Sequence, residues 1–227
     1  MSAQTPFRRA LRSFLEQRTA RVGLIIFGVL LLAAIGADVI STYDPTGVLI
    51  DVEPTAKRLA GPCINLFGCE GPQHLFGLDS NVRDVFARVI HGARLSLQVG
   101  VLTVGFAIVI GTLIGAVAGF VGGWVDNLLM RLMDVLLAFP SLLLAIAIVT
   151  VIGPGLLNAQ IAIGIVAIPI YARVMRASVL GLRDREFVSA SRALGSSEAG
   201  ILFRKILPNA LTPIIVQGTL EIGRAHV

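Results

Sequence analysis

Two stretches of this chain carry no charged residue at all: residues 95–125, 31 in a row, and residues 135–172, 38 in a row. A helix crosses the hydrocarbon of a bilayer with about 20 apolar residues, because its backbone groups bond to one another and need no water. The longer run is too long for one crossing, and Gly153-Pro154-Gly155 punctuates it with strong turn formers. A third run, residues 22–37, extends through Asp38 to residue 40. The pattern predicts spans at 22–40, 95–121, 135–152 and 156–172, with an apolar run at 210–220 opening a fifth. Only 15% of the residues are charged and 55% are hydrophobic, against about 25% charged in a soluble domain. That balance excludes a soluble enzyme, a disordered tail and a disulfide scaffold. The fold class is an all-α integral membrane protein.

Positive charge near span ends orients such a chain. Arg8, Arg9, Arg12, Arg18 and Arg21 precede the first span against the single acid Glu16, so residues 1–21 read as cytoplasmic. Arg173, Arg176, Arg183, Arg185, Arg192, Arg204 and Lys205 follow the fourth span, on the same side after an even number of crossings. The net charge of +5 therefore reports topology, not nucleic-acid binding. Arg83, Arg88 and Arg94 run against this, since they fall in the 41–94 segment assigned to the outside. That segment holds five basic and six acidic residues. A signal peptide is the other reading of the first span, with small residues around Ala34-Ile35-Gly36-Ala37; the length of the basic region and of the apolar run favours an anchor.

Cys63 and Cys69, six positions apart, are the only cysteines. They read as a local disulfide in an oxidising compartment, with two free thiols as the plain alternative. A metal site with His74 lacks an evident fourth ligand. Residues 81–94 read as a short amphipathic helix with Val82, Val85, Phe86 and Val89 at helical spacing. Gly111, Gly115 and Gly119 recur every four residues and mark a face where another backbone approaches closely. Spacing alone leaves open whether that backbone belongs to this chain or to a partner subunit. The ionisable residues Asp38, Asp126, Arg131 and Asp134 lie at span ends, which argues against an ion-coupled transporter. No catalytic constellation and no metal site emerge.

Residues 183–209 read RDREFVSASRALGSSEAGILFRKILPN. Phe187, Ala190, Leu194, Ile201 and Leu202 suggest short amphipathic helices, interrupted at Gly195-Ser196-Ser197 and stopped at Pro208. This stretch resembles the EAA loop of ABC-importer permeases: Glu-Ala-Ala, three residues, Gly, nine residues, then Ile-x-Leu-Pro. Ala190, Gly195, Leu207 and Pro208 fall in register, whereas Ser189, Ser191 and Lys205 replace the Glu, the second Ala and the Ile. Residues 75–100 (LFGLDSNVRDVFARVIHGARLSLQVG) resemble the Gly-x-Asp-x-x-x-Arg-Asp segment that opens the core of dipeptide/oligopeptide permeases. Residues 118–146 and 185–195 are similar to the same family, and the resemblance runs from the first span to residue 220.

The resemblance implies a type I importer permease fold of six spans, of which 95–220 would be part of the core. It further implies an ATPase-coupling loop drawn from Glu186, Phe187, Ser189, Ala190, Ser191, Arg192, Ala193, Leu194, Gly195, Leu207 and Pro208. Its expected partners are a second homologous permease, two ABC ATPase subunits and an extracytoplasmic substrate-binding protein. ATP and Mg would sit on the ATPases, because this chain carries no Gly-x-x-x-x-Gly-Lys-Ser/Thr loop. The expected location is a bacterial or archaeal cytoplasmic membrane. The expected cargo is di- or oligopeptides, with nickel chelates or glutathione as alternatives, and a non-transporting membrane anchor as the reading from another class. Residues 221–227 (EIGRAHV) read as a translated sequencing adapter, with a true terminus as the alternative.

Overall fold

The computed structural model describes residues 16–50, 52–53, 56–69 and 71–224. Arg8, Arg9 and Arg12, and residues 225–227 of the suspected adapter, lie outside them. The described residues are helical apart from the 41–84 segment and short connections, and they fall into two compact units, Met1–Leu97 and Gln98–Val227. Among the described residues, four helices are long and apolar enough to cross a membrane, or five if one bent pair counts as a span.

In the first unit, α1 (Arg18–Ile35) is exposed on nearly every side, and α2 (Ala37–Ile40) follows a break at Gly36. The expected span at 22–40 is therefore two helices, the longer starting four residues earlier. Arg94 ties down their junction. Its Nε donates to the Ala34 carbonyl at 2.9 Å and its Nη2 to the Ile35 carbonyl at 3.1 Å and to Asp38 at 2.9 Å. Those carbonyls end a helix and have no intrahelical donor, so one guanidinium satisfies both and pairs with a carboxylate.

The 41–84 segment folds around Leu49, Leu78 and Val82. A disulfide joins Cys63 to Cys69, with Cα atoms 5.5 Å apart, and Cys63 and His74 exchange two backbone hydrogen bonds of 2.9 Å. His74 is buried between two carboxylates, Nδ1 at 2.8 Å from Asp84 and Nε2 at 3.0 Å from Glu53. The second oxygen of Asp84 accepts the Ala87 N–H at 2.7 Å, capping the next helix. Asp79 accepts the backbone N–H groups of Asn81 and Arg83 and pairs with the side chains of Arg83 and Arg88. Partial withdrawal from water pushes the Asp79 carboxyl upward, but the Arg83 and Asn81 amides and the Arg83 guanidinium outweigh it and hold it below the usual carboxylate range. Arg83, Arg88 and Arg94, which conflicted with the orientation rule, all have local acidic partners.

The helix α3 (Val85–Val121) is continuous over 37 residues. It absorbs most of the short amphipathic helix expected at 81–94 and starts ten residues before the expected span at 95. Only 81–84 remain outside, in a turn where Val82 takes a positive φ of 59°.

The second unit is built on α6 (Leu156–Arg183), which runs eleven residues past the expected end at 172. Gly111, Gly115 and Gly119 of α3 face it. A Cβ on Gly111 would stand 2.6 Å from the Tyr171 Cβ, one on Gly115 2.9 Å from the Met175 Cβ, and one on Gly119 2.9 Å from the Arg176 carbonyl. The glycine face is therefore filled by this chain's own helix. The expected span at 135–152 is not one helix. It spreads over α4 (Gly123–Ala138) and α5 (Ser141–Ile152), bent by 96° at Phe139-Pro140. Proline has no N–H and drives the residue before it into extended backbone, and Phe139 sits at φ −91°, ψ 141°. Arg176 grips Asp126 with two hydrogen bonds of 2.5 and 2.6 Å, and Arg173 meets Asp134 at 2.5 Å, so two ion pairs bind α4 to α6.

Replacing Gly115 with Val puts side-chain atoms against backbone that cannot yield. The expected cost exceeds about 3 kcal/mol, read as lost thermal stability of the detergent-solubilised permease. Gly105, with nothing within 4 Å of its virtual Cβ, is the control: Gly105→Ala should gain about 0.5–1 kcal/mol of helix propensity. Because the Asp79 carboxyl is lowered in the folded chain, its contribution is present above the unfolded carboxylate value and is lost as pH falls through the folded one. The protection of the Asn81 and Arg83 amides, measured against the intrinsic exchange rate at each pH, should fall on acidification, and Asp79→Asn should flatten that dependence.

Candidate functional site

The segment after α6 is polar in sequence and forms a helical hairpin. Arg183 ends α6, and its Nη1 donates to the Gly119 carbonyl at 3.0 Å, closing the end of α3. Then come α7 (Glu186–Ala193), a turn, and α8 (Glu198–Ile201), which runs through a π-helical turn (Leu202–Ile206) into α9 (Leu207–Arg224). The interruption falls at Gly195-Ser196-Ser197, as the sequence suggests. Gly195 takes a φ of +79°, which any side chain would strain. The Ser197 hydroxyl accepts the Gly200 N–H at 3.2 Å, an N-cap that starts α8 where the turn ends.

Every residue of α7 except Val188 is at least partly exposed. Val188 is fully buried and shares one apolar cluster with Val179 of α6, Ile201 of α8 and Ile206. The remaining candidates display a mixed surface: Glu186, Phe187, Ser189, Ala190, Arg192 and Ala193 are exposed, Ser191 partly so, and Leu194 is 86% exposed. The Ser191 hydroxyl is turned back onto the Phe187 carbonyl at 2.7 Å. Arg192 spans the turn to Glu198 with two hydrogen bonds of 2.7 and 2.9 Å, holding the hairpin shut. The sequence reading missed that brace and the Val188 anchor. The six-residue offset of Arg192 and Glu198 matches neither helical nor strand spacing, so no periodicity flags it.

Leu207 and Pro208 stand apart from the α7 group, at the start of α9. Pro208 does not break the chain as expected. It lies inside the continuous helix that runs from Glu198 through the π turn, and that wider turn, at Leu202–Ile206 just before it, accommodates the missing N–H and lets the helix continue. From there α9 runs through Glu221 to Arg224, so the first four residues of the suspected adapter continue the helix that holds the 210–220 run. A short helix pinned by one buried valine and braced across its turn presents Phe187, Ala190 and Leu194 as a rigid exposed face.

Residues 111–226 match the family described as binding-protein-dependent transport system inner membrane component, and residues 5–62 match the N-terminal TM domain of oligopeptide transport permease C. The dipeptide transport system permease protein DppC of Alkalihalophilus pseudofirmus is 45% identical over 226 residues, covering 99% of this chain and 69% of the relative. The di/tripeptide transport system permease protein DppC of Pseudomonas aeruginosa is 40% identical over 97% of this chain and 71% of its own length. The glutathione transport system permease protein GsiD of Pectobacterium atrosepticum is 38% identical over 100% of this chain and 71% of its own. The chain belongs to the binding-protein-dependent transport inner membrane component family, the permeases of ABC importers.

Proposed function

We propose that this permease carries di- and oligopeptides, and that α7 with its turn is the surface on which an ATPase subunit docks. The observation that carries the docking reading is the contrast within α7: one side chain, Val188, is sunk into the membrane unit while Phe187 and Leu194 are left to solvent. Phe187, Ala190 and Leu194 recur at helical spacing, so the exposed apolar side chains fall on one face as a patch that a partner can cover. Force applied to α7 passes through Val188 to Val179 and Ile206, and so into α6 and α9. Such a push shifts the spans only if the ATPase contacts α7 differently in its two states. A second homologous permease and a binding protein complete the assembly in this reading, and ATP and Mg stay with the ATPases.

The peptide cargo is supported by the names of the relatives at 45% and 40% identity. Glutathione is the second reading, favoured by relatives named for it at 38–40% identity. The 41–94 segment faces outward in this proposal, and the N-terminus lies inside. Its disulfide suits an oxidising compartment, and Arg83, Arg88 and Arg94 each meet an acidic side chain.

Ala190→Trp and Leu194→Asp change only the exposed face. Both should abolish co-purification of the ATPase subunits while the permease's melting temperature stays within a few degrees. ATPases that remain bound to both variants would sink the docking reading. Val188→Ala should instead lower stability, by about 1–3 kcal/mol. In intact cells, a membrane-impermeant thiol reagent should label Cys63 and Cys69 only after an external reductant has opened their disulfide. Labelling that requires cell lysis would reverse the orientation.

A further inference from the structure

The two faces of α4 meet different surroundings. Asp126 is held by Arg176 of α6, and Met130 and Met133 belong to the apolar cluster built around that helix. Trp124, Leu128, Arg131, Leu132 and Val135 lie on the other side. At about 100° per residue they fall within one arc of about 100°, and all five are exposed, Trp124 at 73%. Arg131 therefore sits inside an apolar stripe. It makes no hydrogen bond or ion pair among the described residues, whereas Arg173 and Arg176 of α6 each hold an aspartate.

The ion pairs also set the depth of α4. With 28 residues at about 1.5 Å each, α6 is about 42 Å long, against about 30 Å of hydrocarbon. Its charge-free part ends at residue 172, so the turns from Arg173 onward are the ones that emerge among the headgroups. Asp134 and Asp126 tie α4 to α6 at Arg173 and Arg176, which places α4 at that boundary. The next helix, α5, has 12 residues, and the 96° bend between the two turns α4 away from its direction. With α5 pointed across the bilayer, α4 lies along the surface with its apolar stripe toward the lipid, as an interfacial helix does.

We infer that the exposed face of α4 binds an anionic phospholipid, with Arg131 on its phosphate and Trp124, Leu128, Leu132 and Val135 along its acyl chains. A long cationic side chain at this level reaches out of the hydrocarbon to the headgroups. The guanidinium offers parallel N–H donors that match the oxygens of a phosphate, and with no acid of this chain beside it, its charge is left for a ligand. An indole ring is favoured at the same level, where its apolar body and its N–H face different media. The lipid is anionic because a zwitterionic headgroup brings a second cation close to Arg131, whereas an anionic one brings only the charge that answers it.

The test uses the full-length permease, assembled with its partner permease and ATPases, in nanodiscs of equal parts phosphatidylglycerol and phosphatidylcholine. A photoreactive p-benzoylphenylalanine replacing Leu128, one turn from Arg131, labels whatever lies against the stripe, and mass spectrometry identifies the adduct. Phosphatidylglycerol should be labelled over phosphatidylcholine by about fivefold, the worth of one basic residue at an anionic surface. Arg131→Gln should bring that ratio close to one, and Arg131→Lys should keep most of it. Arg204→Gln, which removes an exposed cation of the π turn, should leave it unchanged. Equal labelling of the two lipids before any change at Arg131 overturns the proposal, as does a preference that survives Arg131→Gln. Adducts on the second permease in place of lipid overturn it too, and make the stripe a subunit interface. A second measurement needs no variant of Arg131. Raising the ionic strength should shrink the preference, because salt screens a charge at the surface, and a ratio indifferent to salt overturns the proposal.

Discussion

Close backbone approach between α3 and α6 is the contact on which the second unit depends. In lipid, helices gain nothing from hiding apolar side chains from one another, since the tails are as apolar as leucine. Association must come from dispersion over a tight fit, and the fit here is set by three absent side chains. Gly111, Gly115 and Gly119 let α6 come near enough that its Tyr171, Met175 and Arg176 backbone fill the space a Cβ would take. With α6 seated, α4 follows through the Arg176–Asp126 and Arg173–Asp134 pairs. The surface hairpin then closes over the far end through Val188. Bulk on the glycine face would loosen everything that α6 organises.

Charge is handled locally throughout. Arg94 neutralises two helix-end carbonyls and Asp38 at once, Asp79 holds Arg83 and Arg88, and His74 bridges Glu53 and Asp84. The Gly-x-Asp-x-x-x-Arg-Asp segment thereby acquires a physical meaning. Its first Asp (Asp79) organises the turn and pairs with the Arg (Arg83), while its second (Asp84) caps α3 and fixes the buried histidine. Each of its three arginines meets an acidic side chain, Arg83 and Arg88 sharing Asp79 and Arg94 taking Asp38, which is why a count of Lys and Arg misjudges it.

The proposed docking face on α7 is rigid and exposed, because an outside subunit must push on it without its collapsing. It is held by Val188 and by the Arg192–Glu198 brace. It depends on α6, which contributes Val179 to the apolar cluster that seats Val188.

Membrane-helix identity, the glycine face, the turn at Gly195 and the family were all legible in the residues themselves. Each is a local property: apolar run length, four-residue spacing, a positive φ, a motif in register. Helix limits were legible only in part. Charge at Arg88, Arg94 or Arg176 reads as the end of a span, yet α3 and α6 run through those residues because tertiary partners neutralise them. Pro140 bent the chain where an apolar count saw one span, whereas the π turn before Pro208 absorbs its missing N–H and lets the helix run on. Which backbone fills the glycine face and which acid answers Arg94, Arg173 and Arg176 were decided by the tertiary structure alone. The physical reason is that such contacts join residues 39 to 64 positions apart, as Arg173 meets Asp134 and Arg183 meets Gly119. No spacing rule reaches that far.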